Sequence, residues 1–313
     1  MAEAAAGKTI GRDKITDATA ALFTDSVKIP ERFIRTNKVL ASGAVVGEDE
    51  TFELPVVDMA SLLDPELSAL ETAKLGSACR DWGFFQLTNH GIKEAAIQQM
   101  KGSAAGFFSL PLETKNTVAV AGGGFEGFGH HFNQASSDKL DWADQEALIG
   151  AFFGGDDDDG AGKGQSMSMH HYPPCRWHRD RVVGITPHTD TLGLTLLLQV
   201  DDTPGLQIKR GGRWFPVRPL PGAVVVNVGD ILDVLTNGAY ASVEHRVVPD
   251  AERGRVTVAM FHEACVQGQV APLPELLAGG EVARYRSTGK LEFMKGSARA
   301  LAQGRRFLDS LKM

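Results

Sequence analysis

Apolar and polar positions alternate differently in the two halves of the chain. In the first half, LPVVDMASLL (54–63) reads as a short strand running into a turn. Residues 66–82 carry apolar positions at helical spacing, with Leu67, Leu70, Leu75 and Ala78 on one side. WGFFQLTNHGI (82–92) reads as a buried strand that ends in a turn at Asn89, His90 and Gly91. Residues 93–116 return to helical spacing, with Pro111 at a helix start. In the second half the pattern is short, β-branched and turn-bounded: VVGITPHTD, LGLTLLLQV, LQIKR, WFPVRP, AVVVNVGD, SVEHRVV and RVTVAMFHE. DILDVLTNG (230–238) is the one helical turn among them, and residues 280–313 read as helix again. Short strands at regular spacing predict a double-sheet β fold of the jelly-roll type, so the fold class is α+β, a β core flanked by N- and C-terminal helices.

These changes of pattern also mark boundaries. Residues 1–50 read as an N-terminal extension with a helix or two. Residues 51–153 form an N-terminal region of helices and first strands, and GGDDDDGAGKGQ (154–165) is an exposed linker. Residues 166–266 form the β core and 267–313 a C-terminal helical segment. Of the 313 residues, 43% are hydrophobic and 23% charged, an ordinary globular balance. A net charge of −7 argues against broad attraction to nucleic acid or anionic membrane and leaves a small-molecule enzyme as the expectation. Cys79, Cys175 and Cys265 are far apart and odd in number, which argues against a disulfide framework and for a reducing compartment. No apolar stretch has the length of a signal core or a bilayer span. The expectation is a cytoplasmic monomer with a small-molecule substrate, no nucleic acid and no membrane.

The candidate chemistry lies in the β core. His188 and Asp190 are two apart in a segment read as strand, so alternation puts both on one face, and His245 lies on a later strand. Two histidines and a carboxylate on neighbouring strands can bind one face of an octahedral ion, the facial triad of non-haem Fe(II) oxygenases, leaving three positions for cosubstrate and O₂. A structural zinc site would be closed and tetrahedral. His178-Arg179-Asp180 repeats the H-x-D spacing, but the surrounding arginines would repel a dication. Arg255 and Thr257 share a strand face beyond His245. A guanidinium is suited to bidentate pairing with a carboxylate, and a hydroxyl adds a hydrogen bond. The Gly122, Gly124 and Gly127 spacing fits a dinucleotide fingerprint, yet FGHHFN is a poor helix start, so it reads as a loop. His131, beside His130 in that loop, is a candidate for the rim of a substrate pocket.

MHHYPPC, TPHTD, PGLQI, NVGD, LTNGAY, SVEHR and RVTVAMF stand in the order seen in the plant 2-oxoglutarate/Fe(II)-dependent dioxygenases, and LPVVDM, WGFFQLTNHG, EGFG and KLDWAD resemble that family's N-terminal half. The nearest resemblance is to the specialised-metabolism branch with norcoclaurine-synthase-like, codeine-demethylase-like and flavonoid enzymes. It implies a double-stranded β-helix with His188, Asp190 and His245 as iron ligands, and Arg255, Thr257 and Tyr172 as 2-oxoglutarate contacts. It also implies Phe261 as a substrate-pocket residue. His170 stands where the family usually has Asn, and an imidazole can still donate a hydrogen bond to the cosubstrate. The implied cofactors are Fe(II), 2-oxoglutarate and O₂, with ascorbate as an accompanying reductant. The implied reaction hydroxylates, O-demethylates or desaturates a small metabolite and releases succinate and CO₂. After Asp144 a block present in the relatives is missing, and QEALIGAF resembles the end of a helical segment. Loss of that block would expose apolar sheet surface. A catalytically weak member acting as a binding or regulatory protein is the alternative.

Overall fold

The computed structural model describes residues 29–35, 43–46, 53–119, 126–129, 139–150, 165–177, 179–262 and 268–313. The strands are β1 Val56–Asp58, β2 Phe84–Thr88, β3 Gly127–Gly129, β4 Asp144–Gly150, β5 Gln165–Tyr172, β6 Ile185–His188 and β7 Leu194–Gln199. They continue with β8 Leu206–Arg210, β9 Arg213–Pro216, β10 Val224–Val228, β11 His245–Val247, β12 Arg255–His262, β13 Gln269–Val270 and β14 Thr288–Gly289. The α-helices are α1 Met59–Leu63, α2 Ser68–Asp81, α3 Glu94–Phe108, α4 Leu112–Lys115, α5 Asp230–Leu235, α6 Pro274–Leu277 and α7 Lys290–Ala302.

Eight strands form one sheet in the order β1-β2-β10-β7-β12-β5-β4-β3, and four form a second in the order β6-β11-β8-β9. This double-sheet core with flanking helices is the expected fold class. Period-two alternation explains how it is filled. Along β12, Arg255, Thr257, Ala259 and Phe261 line an internal cavity. Val258 faces the other way, onto Ala104 and Phe108 of α3, with Val256 packed at the edge of that cluster. On β10, Val224, Val226 and Val228 pack against Ala78 and Cys79 of α2, while Asn227 lines the cavity. α2 and α3 thus cover two stretches of the large sheet, and Met260, facing outward on β12, stays half-buried.

Several local expectations change. The segment after β1 is a helix rather than a turn, because the Asp58 carboxylate accepts from the Ala60 and Ser61 amides and caps α1. α2 forms where its spacing predicts, but Leu67 and Leu70 are exposed, at 48% and 73%. Its buried positions are Glu71, Ala78 and Cys79. Glu71 accepts from the Asp58 amide at 2.7 Å, and of the expected face Leu75 and Ala78 pack toward the sheet while Leu67 and Leu70 do not. Residues 144–150, expected as a helix end, form strand β4, in register with β5 from Asp144 opposite His171 to Gly150 opposite Gln165. Unpaired main-chain groups at the edge of β5 override the local helical pattern. β3, three residues long, pairs with β4 inside the stretch read as loop. Linker residues 154–164 and the His130–His131 pair lie outside the described residues. Among the described residues no helix is long and apolar enough to cross a membrane.

Candidate metal centre and cosubstrate pocket

β6 ends at His188 and β11 begins at His245, and the two residues are direct partners across the small sheet. Their rings lie 4.2 Å apart. Asp190 is not held by a strand pleat, contrary to the expectation, since β6 stops two residues earlier. Hydrogen bonds from the large sheet place it instead. Its Oδ2 accepts from Thr195 Oγ1 of β7 at 2.5 Å and from Asn227 Nδ2 of β10 at 2.8 Å. Its backbone carbonyl accepts from the Asp230 amide at 2.7 Å. The remaining oxygen, Oδ1, is 3.5 Å from Nε2 of both His188 and His245.

The second nitrogen of each imidazole is also committed. His188 Nδ1 lies 2.9 Å from the Thr186 carbonyl and His245 Nδ1 lies 3.1 Å from the Val243 carbonyl. A carbonyl only accepts, so Nδ1 carries the hydrogen and Nε2 offers its lone pair in both rings. Three ligand atoms, two neutral nitrogens and one carboxylate oxygen, lie within 4.8 Å of one another. The donor set matches an Fe(II) facial triad, and the outer hydrogen bonds fix each ligand's orientation. Burial pushes the His245 imidazole down to about 4. Against its own burial, Asp190 is held well below the usual carboxylate range by the two histidines and the Asn227 amide.

The cavity in front of the triad is lined by His170, Tyr172, Arg255, Thr257 and Phe261, so these sequence-selected residues converge with the ligands on one space. Register explains this: Arg255 faces Tyr172 and Thr257 faces His170 across β12 and β5. Arg255 is 2% exposed and its Nη2 donates to Gln199 Oε1 at 3.2 Å. Its guanidinium lies 5.3 Å from the Tyr172 ring centre. Burial pulls its pKa below the ordinary guanidinium value. Among the described residues, Arg255 Nε and Thr257 Oγ1 are buried with no hydrogen-bond partner. Two buried donors of this kind suit a carboxylate-bearing ligand. His171, on the opposite face of β5 from His170, packs on Phe108 instead, and His262 meets Gln165 away from the cavity. Cys175 is buried, with its thiol directed to the Trp177 carbonyl.

Sequence pattern alone does not single out Thr195, Asn227, Gln199 or Phe84. The signal was present for the first three, since each is a polar residue at an inward position of an otherwise apolar strand. Phe84 carries no such mark, yet its ring stands edge-on to His245 at 5.3 Å.

The fold and this cavity together define a class, a mononuclear non-haem iron oxygenase on a jelly-roll core. Comparison with known proteins gives the family. Residues 54–167 match the "non-haem dioxygenase in morphine synthesis N-terminal" family, and residues 163–264 match the 2OG-Fe(II) oxygenase superfamily. Protein SRG1 of Arabidopsis thaliana is 34% identical over 340 aligned positions, covering 91% of this chain and 92% of the relative. Codeine O-demethylase of Papaver somniferum is 33% identical, with the same two coverages. The crystal structure of JOX2 in complex with 2OG, Fe and JA superposes with a TM-score of 0.80 at 24% identity, covering 96% of this chain and 99% of that one. A rice dioxygenase for auxin oxidation superposes at 0.68 with 26% identity, covering 83% and 100%. The chain belongs to the 2OG-Fe(II) oxygenase superfamily and is a 2-oxoglutarate-dependent dioxygenase with Fe(II) as its metal. The SRG1 alignment has more positions than this chain has residues, although 91% of the chain takes part, so the relative holds internal positions absent here.

Proposed function

We propose that His188, Asp190 and His245 bind the iron, that Arg255, Thr257, Tyr172 and His170 bind 2-oxoglutarate, and that Phe261 borders the substrate. The reaction proposed is hydroxylation, O-demethylation or desaturation of a small plant-type specialised metabolite. The observation that carries this is the convergence of three oriented ligand atoms and a buried guanidinium on one cavity. Bound iron supplies O₂ activation coupled to oxidative decarboxylation of the 2-oxo acid, yielding succinate and CO₂. The chain does the rest. His188, Asp190 and His245 would hold the metal at one end of the cavity that Arg255 also lines. Arg255 pairs with the distal carboxylate, and the Thr257 hydroxyl adds a hydrogen bond. Phe84, Leu197, Leu206, Val247 and Ala259 wall the cavity with apolar surface, which excludes water from the reacting groups.

The substrate class is supported by the names of the relatives, which include codeine O-demethylase and an Ocimum basilicum flavonoid 7-O-demethylase. His131, outside the described residues, is retained as a rim candidate. A cytoplasmic monomer without nucleic-acid or membrane partners is part of the same reading. The test is succinate release by Fe(II)-loaded protein over a panel of phenolic, alkaloid and flavonoid substrates. His188→Ala should abolish it. Turnover unchanged by that substitution would reject the ligand assignment.

A further inference from the structure

KLDWAD (139–144) has no part in the site described so far, yet Asp141 connects to it. Asp141 is 2% exposed. Its Oδ1 accepts from the Thr186 amide at 3.2 Å, the Thr186 hydroxyl at 2.6 Å and the Arg35 guanidinium at 2.5 Å. The carbonyl of the same Thr186 takes the His188 Nδ1 hydrogen. Asp141 is itself held from both sides. The Leu140 amide donates to the Arg32 carbonyl at 2.7 Å and the Trp142 amide to the Val183 carbonyl at 2.8 Å. Trp142 Nε1 donates to the Pro173 carbonyl, and Phe33 packs edge-on against the indole.

β6 needs such a support. It is an edge strand of the small sheet, and it pairs with β11 at two positions with an irregularity between them. Two pairs do not fix the azimuth of a ligand imidazole by themselves.

We infer that Asp141 is a positioning residue for the metal centre. Through Thr186 it sets the His188 imidazole, and through Arg35 it ties that ligand to the N-terminal segment 29–35. This rests on the triad being the metal site.

The experiment is Co(II) titration of the full chain, read from the visible absorption of the bound ion, with melting temperatures alongside. The variants are Asp141→Asn, Thr186→Val, the double variant, His188→Ala, and Trp142→Phe as a packing control. Wild type should bind one Co(II) and His188→Ala none. Asp141→Asn should weaken Co(II) about tenfold or more and alter the absorption band, in line with other outer-shell partners of metal-bound histidine. Thr186→Val should do the same, and the double variant should be little worse than either single, because both act through one connection. Trp142→Phe should lower the melting temperature with affinity unchanged. Affinity within twofold of wild type in Asp141→Asn, or in Thr186→Val should the first variant not fold, would overturn the inference. So would an equal loss in Trp142→Phe. Failure of the underlying reading looks different, since wild type itself would then bind no Co(II) that depends on His188.

Discussion

Replacing Arg255 by Met separates a binding group from a structural one. Arg255 is almost fully buried and donates to the neutral amide of Gln199. Among the described residues no carboxylate lies within ion-pair distance of it. A buried cation without a close counter-charge carries a desolvation penalty that the surrounding fold does not offset. Met keeps most of the apolar stem and removes the charge. Without cosubstrate, the variant is expected to be as stable as wild type or more stable by about 1–3 kcal/mol. With cosubstrate the sign reverses. Truncating one side of a desolvated, hydrogen-bonded charge pair costs about 2–5 kcal/mol. At about 1.4 kcal/mol per decade, 2-oxoglutarate affinity should fall by roughly 30-fold to 3000-fold. The assay is thermal unfolding with Mn(II) in place of Fe(II), with and without 2-oxoglutarate. At a ligand concentration of about 100 times Kd the wild type gains about 2.7 kcal/mol, whereas a variant binding a hundredfold more weakly gains about 0.4 kcal/mol. Equal 2-oxoglutarate stabilisation of the two proteins would refute the reasoning. So would a ligand-free variant destabilised by more than about 3 kcal/mol, which would make Arg255 a structural cation.

Other perturbations follow from the same geometry. Asn227→Ala and Thr195→Val each remove one of the donors that orient Asp190, and each is expected to weaken Mn(II) about 10- to 100-fold, measured by titration. His170→Leu removes a polar group from the cosubstrate cavity and is expected to raise the KM for 2-oxoglutarate about tenfold with kcat little changed, whereas His170→Asn should stay close to wild type. Gly83 has φ +62°, and an added Cβ would meet the Ala241 carbonyl oxygen at 2.2 Å. Gly83→Ala is therefore expected to cost about 2–4 kcal/mol in chemical denaturation, and a loss below about 0.5 kcal/mol would contradict the packing described. Burial pushes the Cys79 thiol up to about 11. In the native protein at pH 8 its alkylation should be far slower than after unfolding, as read by peptide mass mapping.

The sequence carried the strands of the core, because period-two alternation and β-branched runs are local properties of a half-buried sheet. It also carried the H-x-D pair, the later histidine and the Arg255/Thr257 pair, since each lies on a short stretch of chain whose spacing is readable. α2 shows where that stops. Its leucines mark a face, but only Leu75 and Ala78 of that face meet the sheet, while Leu67 and Leu70 stay exposed and Cys79 is buried instead. β4 shows it again, since a stretch with a helical look became a strand when the edge of β5 offered main-chain partners. What only the tertiary structure decided was the convergence. His245 meets His188 through pairing of strands more than fifty residues apart in sequence. Asp190 is aimed by Thr195 and Asn227, and Asp141 reaches the site through Thr186. Such contacts depend on register between distant strands, and register is set by the summed burial of whole faces rather than by any local run of residues.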